Sequence, residues 1–226
     1  MSITLSRAVF VVAALLAGCQ AAPTDWRGGY PPQWWVAAPR EGAPGWEILP
    51  QEAGVGEVIV SKRGELGVLS NFAATPFSYH GKTYASVEGF WQAMKYPEAT
   101  VDGVADPRAD APGARWENTR AAVEQMVGFD AKHAGSAADE VMKSLGITWV
   151  SFEGRKMEYR PAVAGEHYRL IVEAMRAKAD QNAEVRRVLL ATGNLVLRPD
   201  HKQEPGAGKA WDYCGIWMEI RAELRQ

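Results

Sequence analysis

The sequence predicts an α+β fold: one mainly helical domain with a small antiparallel sheet made of hairpins. Two short β-patterned pairs flank His-Gly and Glu-Gly turns, and several segments with capping signals repeat apolar residues at helical spacing. The 226 residues show no internal repeat, and their 47% hydrophobic and 23% charged content is that of a folded globular chain. Disorder, collagen and coiled coil are therefore excluded. The formal net charge of −2 gives no strong nucleic-acid signal, and two cysteines, Cys19 and Cys214, exclude a disulfide framework.

The chain divides into three parts. Arg7, the run Ala8 to Leu16 and the ending Leu16-Ala17-Gly18-Cys19 describe a secretory signal peptide over residues 1–18. That ending resembles a bacterial lipobox, which implies lipidation of Cys19 and attachment to a membrane. Gln20 after the Cys implies the outer membrane of a bacterial cell envelope, facing the periplasm. Loss of Arg7 with the signal shifts the net charge from −2 to −3. Cys214 is then left as a lone thiol, expected in the interior.

Residues 19–54 read as a Pro/Gly/Trp-rich tether, because six prolines forbid long helices there. Its four Trp residues are unusual in a pure tether and leave open packing against the domain or a partner. Residues 55–226 form the domain. Val58-Ile59-Val60 reads as a buried strand, and Phe77–Tyr79 with Lys82–Tyr84 as a hairpin around His80-Gly81. Ser86 is placed to cap a helix over Val87–Tyr96 that Pro97 stops. Residues 97–115 read as an exposed loop.

Helices are expected at Thr119–Val127 and Ser136–Leu145, the latter opened by the capping box Ser136-Ala137-Ala138-Asp139. A second hairpin is expected around Glu153-Gly154. A longer helix carries Leu170, Ile171, Ala174 and Met175 on one stripe. Another starts at Asn182, turns Val185, Val188 and Leu189 inward and ends at Gly193. The segment around Ile216, Met218 and Ile220 fits either a strand or a helix.

On the first helix, Glu88, Gln92 and Lys95 are spaced i, i+4 and i+7 and share a face. An ordinary solvated ladder has that spacing too. The neighbours Phe90, Trp91 and Met94 favour an enclosed setting, where a carboxylate beside an amine suits charge-developing chemistry.

Leu69-Ser70-Asn71-Phe72, Gly81-Lys82-Thr83-Tyr84 and Ser86-Val87-Glu88-Gly89-Phe90-Trp91-Gln92-Ala93-Met94-Lys95 resemble the NADAR family, whose YbiA-like domain has an SNF loop, a hairpin and an S-x-E-h-x-x-Q-x-x-K helix. Gln181-Asn182-Ala183-Glu184 and Leu189-Leu190-Ala191-Thr192-Gly193-Asn194-Leu195 resemble its second block. The resemblance spans residues 55–226 with gaps. It implies hydrolysis of an N-glycosidic bond between ribose and a base-like nitrogen, in a phosphorylated or ADP-ribosylated N-riboside. Glu88 takes the position that stabilises positive charge at the anomeric carbon or activates water. Lys95 is a second catalytic candidate, holding a phosphate or the sugar, or attacking a ring-opened aldehyde.

Asn71, with donors and an acceptor for ribose hydroxyls, and Phe72, with a stacking face, are substrate-binding candidates, as are Gln92 and Trp91. The family's late acidic residue before Trp-Gly is not reproduced, and Asp200 is the third catalytic candidate, the carboxylate that would take its place. No metal or cofactor is expected. H-E-x-x-H and C-x-x-C are absent, the four His lack ligand spacing, and Gly206-Ala207-Gly208-Lys209 falls short of a phosphate loop. The expected partners are a small-molecule ribosylated or ADP-ribosyl substrate and, through Cys19, a membrane. A second reading from the same residues is a non-catalytic envelope lipoprotein that binds a nucleotide or sugar.

Overall fold

A computed structural model describes residues 26–161, 163–203 and 208–226. The expected signal peptide and Cys19 lie outside these residues, as do Gly206 and Ala207 of the Gly206–Lys209 stretch. No helix among the described residues is long and apolar enough to cross a membrane.

The fold is α+β with six α-helices among the described residues and four two-stranded pairs. Strand β1 (Glu57–Val60) buries Val58, Ile59 and Val60 and pairs in parallel with β8 (Val196–Pro199), Glu57 opposite Val196 and Val60 opposite Pro199. The other pairs are antiparallel hairpins: β2 (Phe77–Tyr79) with β3 (Lys82–Tyr84), β4 (Thr100–Val101) with β5 (Val104–Ala105), and β6 (Trp149–Phe152) with β7 (Arg155–Glu158). The parallel pair is an addition to the expected hairpins. The first hairpin turns through His80 and Gly81, both at positive φ (49° and 77°), as its sequence requires.

Helix α1 (Val87–Ala93) is buried on every side, and the Ser86 hydroxyl accepts from the Gly89 amide at 2.9 Å. It ends three residues earlier than expected. The Arg108 guanidinium takes the Met94 and Lys95 carbonyls at 3.2 and 3.1 Å, and Arg120 takes that of Tyr96 at 3.0 Å. Those acceptors are thus satisfied by side chains from outside the helix.

Arg108 also overturns the expected exposed loop at 97–115. The segment contains β4 and β5, and the Asp106–Arg108 ion pair at 2.8 Å is completely buried. A guanidinium whose donors all find acceptors, here the Asp106 carboxylate, the Ser151 hydroxyl and the Met94 and Lys95 carbonyls, can lie inside, and residue type alone does not reveal such partners.

Helix α2 (Arg120–Glu124) is capped by Thr119, and α3 (Gly128–Ser144) follows it closely. The capping box at Ser136 is a correction. α3 starts eight residues earlier, and the Ser136 hydroxyl sits mid-helix, donating to the Lys132 carbonyl. α4 (Glu166–Gln181) buries the expected Leu170, Ile171, Ala174 and Met175, and α5 (Ala183–Ala191) buries Val185, Val188 and Leu189. Gly193 has the expected left-handed φ of 55°. The final segment is helix α6 (Tyr213–Glu223), because Asp212 caps it and Ile216, Trp217 and Ile220 all point inward. Cys214 is buried.

The Trp-rich stretch packs on the domain, one of the outcomes its composition leaves open. Short 3₁₀ turns span Pro32–Trp35 and Pro50–Glu52, and Trp34, Trp35 and Leu49 are buried. Trp34 Nε1 donates to Glu65 at 2.8 Å, and Trp35 Nε1 to the Glu57 carbonyl at 3.0 Å.

Arg108→Met is expected to cost about 3–5 kcal/mol in urea unfolding, since it strands the buried Asp106 carboxylate. The double variant with Asp106→Asn should regain part of that loss. Equal stability of Arg108→Met and the parent would show that the pair is not needed.

Candidate active site

Four consecutive carbonyls of the Leu69–Phe72 loop each accept a hydrogen bond from a different helix. The Leu69 oxygen takes the Trp217 indole N–H of α6 at 2.6 Å, and the Ser70 oxygen takes the Lys178 ammonium of α4 at 2.7 Å. The Asn71 oxygen takes the Glu88 amide of α1 at 2.9 Å, and the Phe72 oxygen takes the Gly128 amide of α3 at 3.0 Å. Gly128 has φ of 57°, so a residue free to adopt the left-handed region turns that amide onto the loop. The main chain of Asn71 and Phe72 is thereby fixed against the start of α1.

Glu88 is buried at the base of this loop, and Gln92 Nε2 donates to its Oε1 at 2.7 Å. Burial raises the Glu88 carboxyl above the ordinary range; the Gln92 hydrogen bond and the charges of Lys132, Lys95 and Lys62 oppose that rise without cancelling it. Asn71 Oδ1 and Gln92 Oε1 are buried acceptors with no hydrogen-bond partner among the described residues. A lost partner for such an atom costs about 1–3 kcal/mol.

Lys95 is 1% exposed, donating to the Gly135 carbonyl at 3.0 Å and to Asp139 Oδ2 at 2.7 Å, with the Tyr159 ring 5.1 Å away. Burial lowers its ammonium to about 8, with Asp139 holding the charge on. A cavity of about 530 Å³ opens between α3 and β7, and its walls include Asp139 and Tyr159, both neighbours of Lys95.

The remaining candidates stand around this centre at different places. Phe72 meets Phe129 edge to face at 5.3 Å between ring centres, and the Lys62 ammonium lies 5.1 Å over the Phe72 ring. Asp200 is not beside Glu88. Its carboxylate binds Lys62 at 2.6 and 2.7 Å and His201 at 3.1 Å. Burial pushes that carboxyl up, but His201 and Lys62 outweigh burial and hold it low. Trp91 is buried in an aromatic box with Tyr159, His167 and Trp211, donating to the Tyr159 hydroxyl at 3.2 Å. His167 in that box lacks a partner for either nitrogen among the described residues, and burial pushes it down to about 3. Among the described residues, no group of three His, Cys, Asp or Glu side chains could hold a metal ion.

No protein-family model matches the chain. Over 171 residues it is 28% identical to N-glycosidase YbiA of Escherichia coli strain K12, across 73% of this chain and 85% of the relative. Proteins of the same name from Shigella boydii serotype 4 (strain Sb227) and Shigella sonnei (strain Ss046) match with the same identity and coverage. The chain is a distant homologue of YbiA. An NMR structure of the Escherichia coli YbiA protein aligns with a TM-score of 0.45 and 21% identity, covering 74% of this chain and 84% of that one.

The structure also brings Lys62 and Phe129 against Phe72, Lys132 within electrostatic reach of Glu88 and Asp139 against Lys95, none of them singled out from the sequence as site residues. It seats Lys178, from the Arg176-Ala177-Lys178 stretch of the second resembling block, on the Ser70 carbonyl. Lys178 carried a usable signal: it falls between Met175 and Ala179 on the apolar stripe of α4. Burial without a countercharge lowers its ammonium to about 7. The two glycines Gly89 and Gly135 set how closely the helices approach. A Cβ on Gly89 would lie 2.6 Å from the Met126 carbonyl oxygen, and one on Gly135 would run into the Gln92 amide.

Gly135→Ala is expected to cost about 1–3 kcal/mol by overpacking. Adding Gln92→Ala should recover most of that cost in denaturant titration. A double variant as unstable as the sum of both changes would refute Gln92 as the obstructed group.

Proposed function

We propose that this protein is an N-glycosidase that hydrolyses the bond between ribose and a nitrogen base in a phosphorylated or ADP-ribosylated N-riboside. The observation that carries the reading is the Glu88 carboxyl, buried with its pKa raised and bound by Gln92, with unpartnered buried amide oxygens on Gln92 and on Asn71, the residue whose carbonyl accepts from the Glu88 amide. Descent from a common ancestor with proteins named N-glycosidase supports the same reaction class.

A carboxyl whose pKa is raised by burial holds its proton to higher pH than an exposed one, and that proton can pass to the departing nitrogen as the anomeric C–N bond breaks. The carboxylate so formed faces the positive charge developing on the sugar and stabilises it at short range. Water then adds to the anomeric carbon, and its proton returns to Glu88, which closes the cycle. Asn71 Oδ1 and Gln92 Oε1 supply acceptors for ribose hydroxyls, whose donors would satisfy both at once. Gln92 also fixes the Glu88 rotamer through its amide. Lys95, held between Asp139 and the Gly135 carbonyl, acts as a cation that favours an anionic substrate.

Glu88→Gln is expected to lower turnover of an N-riboside by about 10²–10⁴-fold while the unfolding midpoint stays near that of the parent. In the parent, rate should fall as pH rises, because Glu88 must be protonated, and no later than about pH 8, where Lys95 loses its charge. Rate that instead grows as Glu88 ionises would assign it the base role and overturn the acid mechanism. Release of no base from any ribosylated substrate, with ADP-ribose bound tightly, would favour a binding protein.

We further propose that the enzyme acts at a bacterial envelope, carried on a lipidated Cys19. Cys19→Ser should move it from the membrane pellet to the soluble fraction after cell fractionation, and retention in the pellet would refute the anchor.

A further inference from the structure

We propose that Lys178 is a positioning residue for Glu88, the charged member of a clamp that the end of α4 closes on the main chain from Ser70 to Ser78. This extends the glycosidase reading of Glu88, on which it rests, by naming the group that fixes the backbone at that carboxyl.

Lys178, Gln181 and Asn182 stand at i, i+3 and i+4 where α4 ends, so one face presents all three. Each bonds the main chain of the same stretch. The Lys178 ammonium donates to the Ser70 carbonyl at 2.7 Å, and Asn182 Nδ2 to the Pro76 carbonyl at 2.9 Å. Gln181 exchanges two bonds with Ser78, accepting from its amide at 2.7 Å and donating to its carbonyl at 2.8 Å. Asn71 lies between these fixed points, and its carbonyl accepts from the Glu88 amide at 2.9 Å.

Neutral donors serve the other three carbonyls of the loop: the Trp217 indole and the amides of Glu88 and Gly128. Only Ser70 receives a charge. A lysine in the last turn of a helix ordinarily reaches solvent, but Lys178 is 0% exposed, with the Trp217 ring 5.7 Å from its ammonium. Burial is the only influence on its titration, so no charged side chain of a neighbouring element offsets the desolvation. A charge held inside without a countercharge lowers stability, and such groups gather where function requires them. What this charge supplies is a hydrogen bond roughly twice as strong as a neutral one, one residue before the carbonyl that holds Glu88.

The test compares Lys178→Met with the parent as full chains; methionine has nearly the length of lysine and no charge to desolvate. At pH 6 the variant should unfold at a midpoint no lower than the parent's. Folded Lys178 releases its proton at about pH 7 and the unfolded chain only near 10.5, so parent stability should climb through that window. Relative to the variant, the parent's unfolding constant should fall there by up to about tenfold per pH unit. Hydrogen exchange at the Glu88 amide should be about tenfold faster in the variant, with the β6–β7 hairpin amides unchanged. On a riboside whose turnover needs Glu88, kcat should fall about tenfold while KM holds, because Lys178 touches main chain and no ligand. Gln181→Ala, an exposed change that spares the fold, should raise Glu88 exchange by a smaller factor.

A lower midpoint at pH 6, or failure to fold, would make Lys178 a structural group and overturn the proposal. Glu88 exchange unmoved by either variant would overturn it too, as would a raised KM with kcat kept. A Glu88 amide loosened by Lys178→Met, in a protein that cleaves no riboside, would sink the glycosidase reading alone. Riboside turnover that needs Glu88 but ignores Lys178→Met would sink the clamp alone.

Discussion

The Leu69–Phe72 loop is the constraint on which the rest of the structure depends. Four carbonyls in a row would be unsatisfied inside a protein unless donors came to meet them, and here each donor arrives on a different helix. The loop therefore works as a hub. α1, α3, α4 and α6 are registered against a single stretch of backbone, and a shift of one helix would break its hydrogen bond to that stretch. Two of the donors are themselves unusual. Lys178 brings an ammonium into the interior for one carbonyl, and Gly128 adopts a left-handed backbone for another. Such local costs are tolerated where the surrounding contacts over-determine the geometry.

The same hub encloses Glu88, whose amide it binds. Burial alone would drive Glu88 to its neutral form, and lysines alone would drive it to its charged form. The protein sets the two against each other, with Lys62, Lys95 and Lys132 on three separate elements. Two of these lysines are restrained: Lys62 by Asp200, Lys95 by Asp139 and a helical carbonyl. The field at Glu88 is thus preorganised rather than assembled when a ligand arrives, the condition under which buried electrostatics serve catalysis best.

Much of this was legible in the sequence where local rules decide. Ser86 before an apolar run gave α1, the Gly81 and Gly154 turns gave two hairpins, and Glu88 with Gln92 followed from helical spacing. The misses have a common cause: partners far along the chain. Arg108 and Asp106 read as loop residues because their burial depends on carbonyls of Met94 and Lys95. Ser136 read as a cap because nothing local reports that Gly128, eight residues earlier, starts the helix against Phe72. Asp200 looked like a spare carboxylate until Lys62, 138 residues away, claimed it. Lys95 shares a stripe with Glu88, yet its hydrogen bonds go to α3.

The packed Trp stretch changes how far the domain can stand from anything that holds residue 19. Trp26 and Trp35 meet edge to face at 5.3 Å, so the chain is already committed to the domain by Trp26. Only seven residue steps separate it from Cys19. Fully extended, they reach about 25 Å. With Cys19 in a lipid leaflet, as proposed, the domain would ride against the headgroups instead of swinging on a long leash. Its cleft would then draw from a thin layer of solution next to the bilayer, and the orientation of the domain on that surface would decide which molecules find it.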